Sequence, residues 1–547
     1  MPKTHLMLLI LGTIIFTSGF LPLLLLNNEM PTQTFKTVTE DSIQITFDVT
    51  VKPDTTEKSP VAILLHGFSG NRKMMKLIAF SLADKGFTSV SVDLRGHGDS
   101  GGFMTNSSNF EKDVKAVLQA LEKKKIGNTS EIVLIGHSMG GRVAIDMGSK
   151  LNTVLATIGV APAVSPEMVN TSTPKNLLLI VSKGDTVIQN DKVTSTFYKS
   201  INNTGEPGKV YDINGTKRLL FMDTNSNHLT ILYQNAVMNA IVKWATGTVF
   251  GEEQFITINP GLIIVTVFIA FIGGLSIIMS VVMIVYDLLG IRGEKHEYSN
   301  ESDWKSLLKI ATQAIILGGI VGSFITAMLT LLLIQISPFI LTNSIAAVFI
   351  GNAIVFGYIA TKSLKGYKQK LSYSKFIKQS FRKKSISERI FLGISVAIIL
   401  LGLLYITVGN HLSLTFSTSS LRLHYLPLYI VIYGVVFLFY ESFFKGIMRP
   451  KFQNGFQKVV LSPILELIVI SFSVLLQFLL LGTILQQNIG LIFVGLNLII
   501  GFLALTIILS DFFCKTAEGW VVQIIINAVL FATISVVSSP TSYLTHL

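Results

Sequence analysis

Residues 131–150 read EIVLIGHSMGGRVAIDMGSK. The run 131–136 is almost wholly apolar, as expected of a strand buried on both faces. A helical pattern over 139–151 begins almost at once, leaving GHSMG to make the turn. In a G-x-S-x-G turn between strand and helix the serine is held exposed, and glycines flank it for lack of room. Ser138 would then stand above a helix N-terminus, with the Met139 amide placed to stabilise a developing oxyanion. The competing reading is a glycine-rich turn with a bystander serine. The serine's partners decide between the two.

Working outward, further strands are expected at 42–51, 61–67, 87–94, 154–161 and 176–182. Helical patterns fall at 72–85 and 109–125, and a last helix at 229–246. KVYDI-NGT-KRLLFMD (209–223) reads as two strands about an Asn-Gly turn. Strand–helix alternation predicts an α/β domain, a mostly parallel sheet with helices on both faces. Sites in such sheets form at the carboxyl ends of the strands. A serine nucleophile needs a base, and the base an orienting carboxylate; a fold of this kind fixes their chain order as Ser, acid, His. Between Ser138 and residue 250 there is one histidine, His228, in DTNSNHLT. Asp185, in LLLIVSKGDTVI just beyond an apolar strand, is the expected acid, with Asp191 and Asp223 as runners-up. LLHGFSG (64–70) offers the Phe68 amide as the second oxyanion donor beside Met139. His66 is expected to be structural, and Asp93, Arg95 and His97 in DLRGHGDSGG (93–102) to brace loops.

HGFSG, DLRGHGDSGG, GHSMGG, the G-D-T-V acid site and the late histidine together resemble the α/β-hydrolase superfamily. The nearest branch is that of lysophospholipases, monoacylglycerol lipases and S33-like serine aminopeptidases. The resemblance covers about residues 40–246. It implies a Ser138–Asp185–His228 hydrolase working through an acyl-enzyme, without cofactor or metal. Members of that branch insert a large cap after the strand that follows the serine turn. Here only AVSPEMVNTSTPK (163–175) occupies that place, so a minimal cap and an open site are expected.

The rest of the chain is of another kind. Of the 547 residues 50% are hydrophobic and 14% charged, too apolar for an ordinary soluble protein. Runs long enough to span a bilayer lie near 6–26, 261–289, 308–336, 341–361, 390–408, 426–444, 460–485, 489–510 and 520–538. The connection 362–389 carries ten Lys and Arg, whereas 337–340 and 486–488 carry no charge. Basic connections stay inside. The N-terminus is therefore expected inside and residues 27–260 outside. The expected organisation is a signal-anchor at 1–28, a hydrolase domain at 35–250 and an all-α polytopic membrane domain of about eight helices at 258–540. Asp287, Glu441 and Glu466 are expected near span ends, within reach of solvent. YESFFKG (440–446) faintly resembles the E-E-x-x-x-R-G motif of CAAX-type intramembrane proteases. Tyr440 and Lys445 replace key residues there, and no histidine follows in the spans, so that chemistry is not expected.

The net charge of +12 fits basic loops beside a membrane, and no nucleic-acid motif is present. The single cysteine, Cys514, excludes an intrachain disulfide and a cysteine-based metal site. The reading is a multi-pass membrane protein whose outer serine hydrolase domain cleaves small-molecule or lipid esters, with membrane lipids as its surroundings. Aminopeptidase-like or acyltransferase chemistry stays open, as does a transporter or sensor using the domain as a binding module.

Overall fold

The computed structural model describes residues 3–104, 108–289, 304–365, 372–375, 377, 386–412, 419–452, 457–485, 504, 506, 507 and 520–542. The chain forms two compact units. One gathers Ile14–Gly273, Leu404–Leu421 and Val537–Leu547 and holds the sheet; the other gathers Met1–Thr13, Gly274–Leu403 and Arg422–Val536 and is helical.

The sheet has nine strands: β1 (Thr32–Val38), β2 (Gln44–Thr50), β3 (Pro60–Leu65), β4 (Thr88–Val92), β5 (Asn128–His137), β6 (Val154–Val160), β7 (Leu177–Ser182), β8 (Tyr211–Ile213) and β9 (Thr216–Asp223). Their order is β1-β2-β4-β3-β5-β6-β7-β9-β8. Pairings from β4 through β9 are parallel, and antiparallel pairs close both edges. β3 and β7 are buried along their whole length. Their unbroken apolar runs are what helices on both faces require. Alternate side chains of β3 and β5 serve two cores. Ala62, Leu64, Val133 and Ile135 pack with the helices Lys76–Ala83 and Asn235–Val249. Val61, Ile63, Leu65 and Leu134 pack with Ser108–Lys124 and Met139–Lys150. The β8–β9 hairpin turns at Asn214 and Gly215, both with positive φ (54° and 77°), as the Asn-Gly pair predicts. β1 was not expected: its exposed TQTFKTV has no apolar alternation, and pairing with β2 alone makes it a strand.

After β3 the chain crosses to β4 on one side and reaches β5 on the other. The carboxyl ends of β3 and β5 therefore flank the switch point of the sheet, where open α/β sheets build their sites. Between β6 and β7 there is one short helical turn, Pro166–Met168, so the expected minimal cap is what the fold has there.

Among the described residues seven helices are long and apolar enough to cross a membrane: Lys3–Glu29, Pro260–Val285, Trp304–Ile336, Ile340–Leu364, Ile386–Leu412, Ser420–Lys451 and Ser462–Leu481. The run at 520–538 forms a shorter apolar helix, Val522–Ser538. The run at 489–510 and the basic connection 362–389 lie largely outside the described residues. Several buried polar groups inside the helical unit are paired with one another. Gln477 donates to the Gly318 carbonyl (2.9 Å) and to Asn352 (2.8 Å), and accepts from Thr326 (2.8 Å). Glu441 and Glu466 are not at solvent-reached span ends, being 2% and 3% exposed. Lys445 donates to Glu466 (2.7 Å) and Asn527 to Glu441 (3.1 Å). Buried charges away from water need such partners.

Candidate active site

The turn after β5 is as tight as a sequence of two glycines around His-Ser-Met requires. A β-carbon on Gly136 would lie 2.1 Å from the Gly140 carbonyl oxygen, and one on Gly140 2.3 Å from that of Leu65. Only glycine lets the new helix start so close to the strands. Ser138 takes φ 53° and ψ −114°, a conformation rare outside glycine and held only where surroundings dictate it. They do: the Ser138 amide donates to Val160 (2.9 Å), and its carbonyl accepts from Ala163 (3.0 Å).

Three side chains from three strand ends meet there. His228 Nε2 lies 3.0 Å from Ser138 Oγ, and His228 Nδ1 lies 2.7 Å from Asp185 Oδ2. The other carboxylate oxygen of Asp185 accepts the amides of Val187 (2.8 Å) and Ile188 (2.9 Å). Burial alone would raise the Asp185 carboxyl. The hydrogen bond from His228, its charge and the two amides outweigh it and hold the group below the usual carboxylate range. The runners-up do other work. Asp191 sits exposed in the first turn of the helix Asn190–Ile201. Asp223 accepts from the Asn225 amide (3.1 Å) and from Ser226 Oγ (2.5 Å), shaping the loop that carries His228.

Gly67 brings the β3 loop against the turn: a β-carbon there would lie 3.1 Å from Ser138 Cβ. Phe68 follows it, on a tight turn closed by the Gly70 amide on the Gly67 carbonyl (3.0 Å). Met139 opens the helix after Ser138. His66 accepts the Leu94 amide at Nε2 (3.1 Å), so its Nδ1 carries the proton and donates to Gly67 (2.8 Å). Burial lowers its pKa, and the ring serves as a strut between two loops. Arg72 binds Asp48 (2.9 Å), Asp93 and Asp99 (2.9 Å), and Arg95 binds Asp113 and Asp41 (2.7 Å each). These are the expected braces of the glycine-rich loop.

His137 is the residue sequence reasoning passed over. Its Nε2 donates to the His228 carbonyl (2.8 Å), fixing the backbone that carries the His228 ring. Within the sequence it is only the variable position of G-x-S-x-G, and its partner lies 91 positions away. Burial above all, and then His228, pushes its pKa down to about 3. A histidine with a depressed folded pKa contributes full stability above its unfolded value of about 6.5. That stability is lost as pH falls towards the folded value, because the unfolded chain takes the proton first. The thermal midpoint of the full chain should therefore fall between pH 6.5 and 4, with up to about 1.4 kcal/mol per pH unit from this ring. His137→Gln should flatten that slope, and an unchanged slope would rule the role out.

Residues 56–196 match the model of the family described as serine aminopeptidase, S33. A putative esterase/lipase of Haemophilus influenzae is 36% identical over 93 residues, covering 16% of this chain and 29% of that protein. A probable alcohol acetyltransferase of Saccharomyces cerevisiae is 32% identical over 140 residues, covering 24% of this chain and 40% of that one. Putative esterase/lipase 2 of Mycoplasma genitalium is 25% identical over 217 residues, with 38% of this chain and 70% of that one covered. The match thus spans less than half the length of the first two relatives. Among solved structures, a Pyrococcus furiosus esterase aligns with 18% identity and a TM-score of 0.34, over 40% of this chain and 93% of its own.

Proposed function

We propose that the sheet-bearing unit is a hydrolase domain of the α/β-hydrolase superfamily, as its family match and esterase/lipase relatives support, and that the protein is a membrane-anchored serine hydrolase that cleaves carboxylic esters. The hydrogen-bonded line Ser138–His228–Asp185 carries this reading. Ser138 Oγ attacks the ester carbonyl and gives its proton to His228 Nε2. Asp185 accepts a hydrogen bond from Nδ1–H, which fixes the tautomer and stabilises the imidazolium. The amides of Phe68 and Met139 receive the oxyanion. The alcohol leaves with the proton from His228. Water, deprotonated by the same nitrogen, then releases the acid and regenerates Ser138.

Peptide hydrolysis is a second reading, favoured by the description of the matching family. The seven long apolar helices and the alternation of basic and bare connections support a multi-pass membrane protein with the hydrolase domain on the extracytoplasmic side.

One experiment tests nucleophile and orientation together. A membrane-impermeant fluorophosphonate added to intact cells should label the full-length protein at Ser138. No labelling even in lysed cells would sink the nucleophile, and labelling only after lysis would sink the orientation. A panel of esters and peptide amides on the purified chain then separates the two chemistries. Esters should turn over, and turnover of amides alone would decide for the peptidase.

A further inference from the structure

We propose that Ser538–Ser542, the segment closing the last apolar helix, is a positioning strap for the oxyanion turn at Phe68. The proposal rests on reading Ser138 as the nucleophile. The strap belongs to the same compact unit as the sheet. Ser69 follows Phe68 and has φ 63°. With the Gly70 amide bound to the Gly67 carbonyl, this is the pattern of a type II turn. Such a turn asks for a left-handed third residue, a place glycine usually fills. A serine there is strained by its β-carbon. It is held, because Ser69 Oγ donates to the Ser538 carbonyl.

Three residues on, Thr541 fastens the strap to the glycine-rich loop. Its amide donates to the Gly96 carbonyl (3.0 Å), its carbonyl accepts the Met104 amide (2.7 Å), and its hydroxyl donates to Gly102 (2.9 Å). Ser542 Oγ adds a bond to the Met104 carbonyl (3.2 Å). Gly96 has φ 77°, and a β-carbon there would meet the Thr541 oxygen at 3.0 Å. Thr541 is buried. That same loop presents His97 edge-on to the Phe68 ring (6.3 Å), and its Asp93 accepts the Arg72 amide (2.6 Å). The turn around Phe68 is therefore held by the glycine-rich loop from one direction and by the strap at Ser69.

Type I and type II turns interconvert by flipping the central peptide, here Phe68–Ser69. Without its anchor the strained serine relaxes by that flip, which turns over the Phe68 carbonyl and the Ser69 amide. The loosened turn then no longer holds the preceding Gly67–Phe68 peptide, whose amide is the oxyanion donor, in a fixed aim. Ser69 and the strap act through that amide and touch no substrate.

The test compares the full chain with one ending at Val537, each carrying serine, Ser69→Ala or Ser69→Gly. Fluorophosphonate labelling rates and ester kcat and KM are measured on each. With serine at 69, losing the strap should lower kcat and labelling about tenfold, a fraction of what loss of an oxyanion donor costs, with KM nearly constant. Ser69→Ala should reproduce the loss in the full chain. With Ser69→Gly, which adopts positive φ unaided, removing the strap should change kcat less than about twofold. An equal strap effect in the serine and glycine backgrounds, or none with serine, would overturn the proposal. If the shortened chain does not fold, equal rates for Ser69→Ala and Ser69→Gly in the full chain would overturn it. A wild-type chain that takes no label at all rejects the nucleophile instead.

Discussion

Ser138→Ala should abolish fluorophosphonate labelling and lower ester kcat by about 10⁴- to 10⁶-fold. Removing the nucleophile leaves His228 with nothing to deprotonate but water. The oxyanion amides and binding contacts alone sustain a small residual rate. The fold should survive. Alanine keeps the β-carbon, and both bonds that hold the turn, to Val160 and from Ala163, are made by the Ser138 backbone. An unchanged melting temperature with lost turnover is the expected pair of results. Turnover within tenfold of wild type would mean that the line from Asp185 to Ser138 is not the reacting one.

Asp185→Asn should cost about 10³- to 10⁴-fold in kcat with little change in KM, and the reason lies in two backbone amides. Val187 and Ile188 donate to Oδ1. In the variant that position must be the carbonyl oxygen, because an NH2 group cannot accept them. The NH2 is then forced to face His228 Nδ1, where the carboxylate had accepted a proton at 2.7 Å. Nδ1 becomes an acceptor, the ring proton moves to Nε2, and the nitrogen facing Ser138 can no longer take its proton. The loss should appear in steady-state kinetics on a chain that melts like wild type. Loss of folding in step with loss of rate would point to a merely structural aspartate.

The strand ends and the glycines around Ser138 were legible in the sequence because local sterics leave few alternatives there. Asp185 and His228 were legible because strand alternation placed them at carboxyl ends, and because one histidine alone was eligible. What stayed hidden depends on contacts between distant residues. β1 has no apolar alternation, since it lies exposed at the sheet edge. His137 binds a carbonyl, a group every residue has. The helix Asn190–Ile201 mixes polar and β-branched residues and carries no start signal at its cap, Gln189. The burial of Glu441 and Glu466 follows from Asn527 and Lys445, partners that no spacing rule pairs with them. SSPTS at 538–542 reads as a polar tail, and only its hydrogen bonds to Ser69, Gly96 and Met104 make it part of the site.

The three-part make-up of the sheet-bearing unit also bears on how such a chain can be recombined. The stretch matched by the family model is 56–196, whereas the compact body draws on Leu404–Leu421 and Val537–Leu547 as well. Within that body Asn27 meets His411 of the Leu404–Leu421 segment at 3.3 Å. A graft that transplants residues 35–250 would carry the reacting groups and leave their clasps behind.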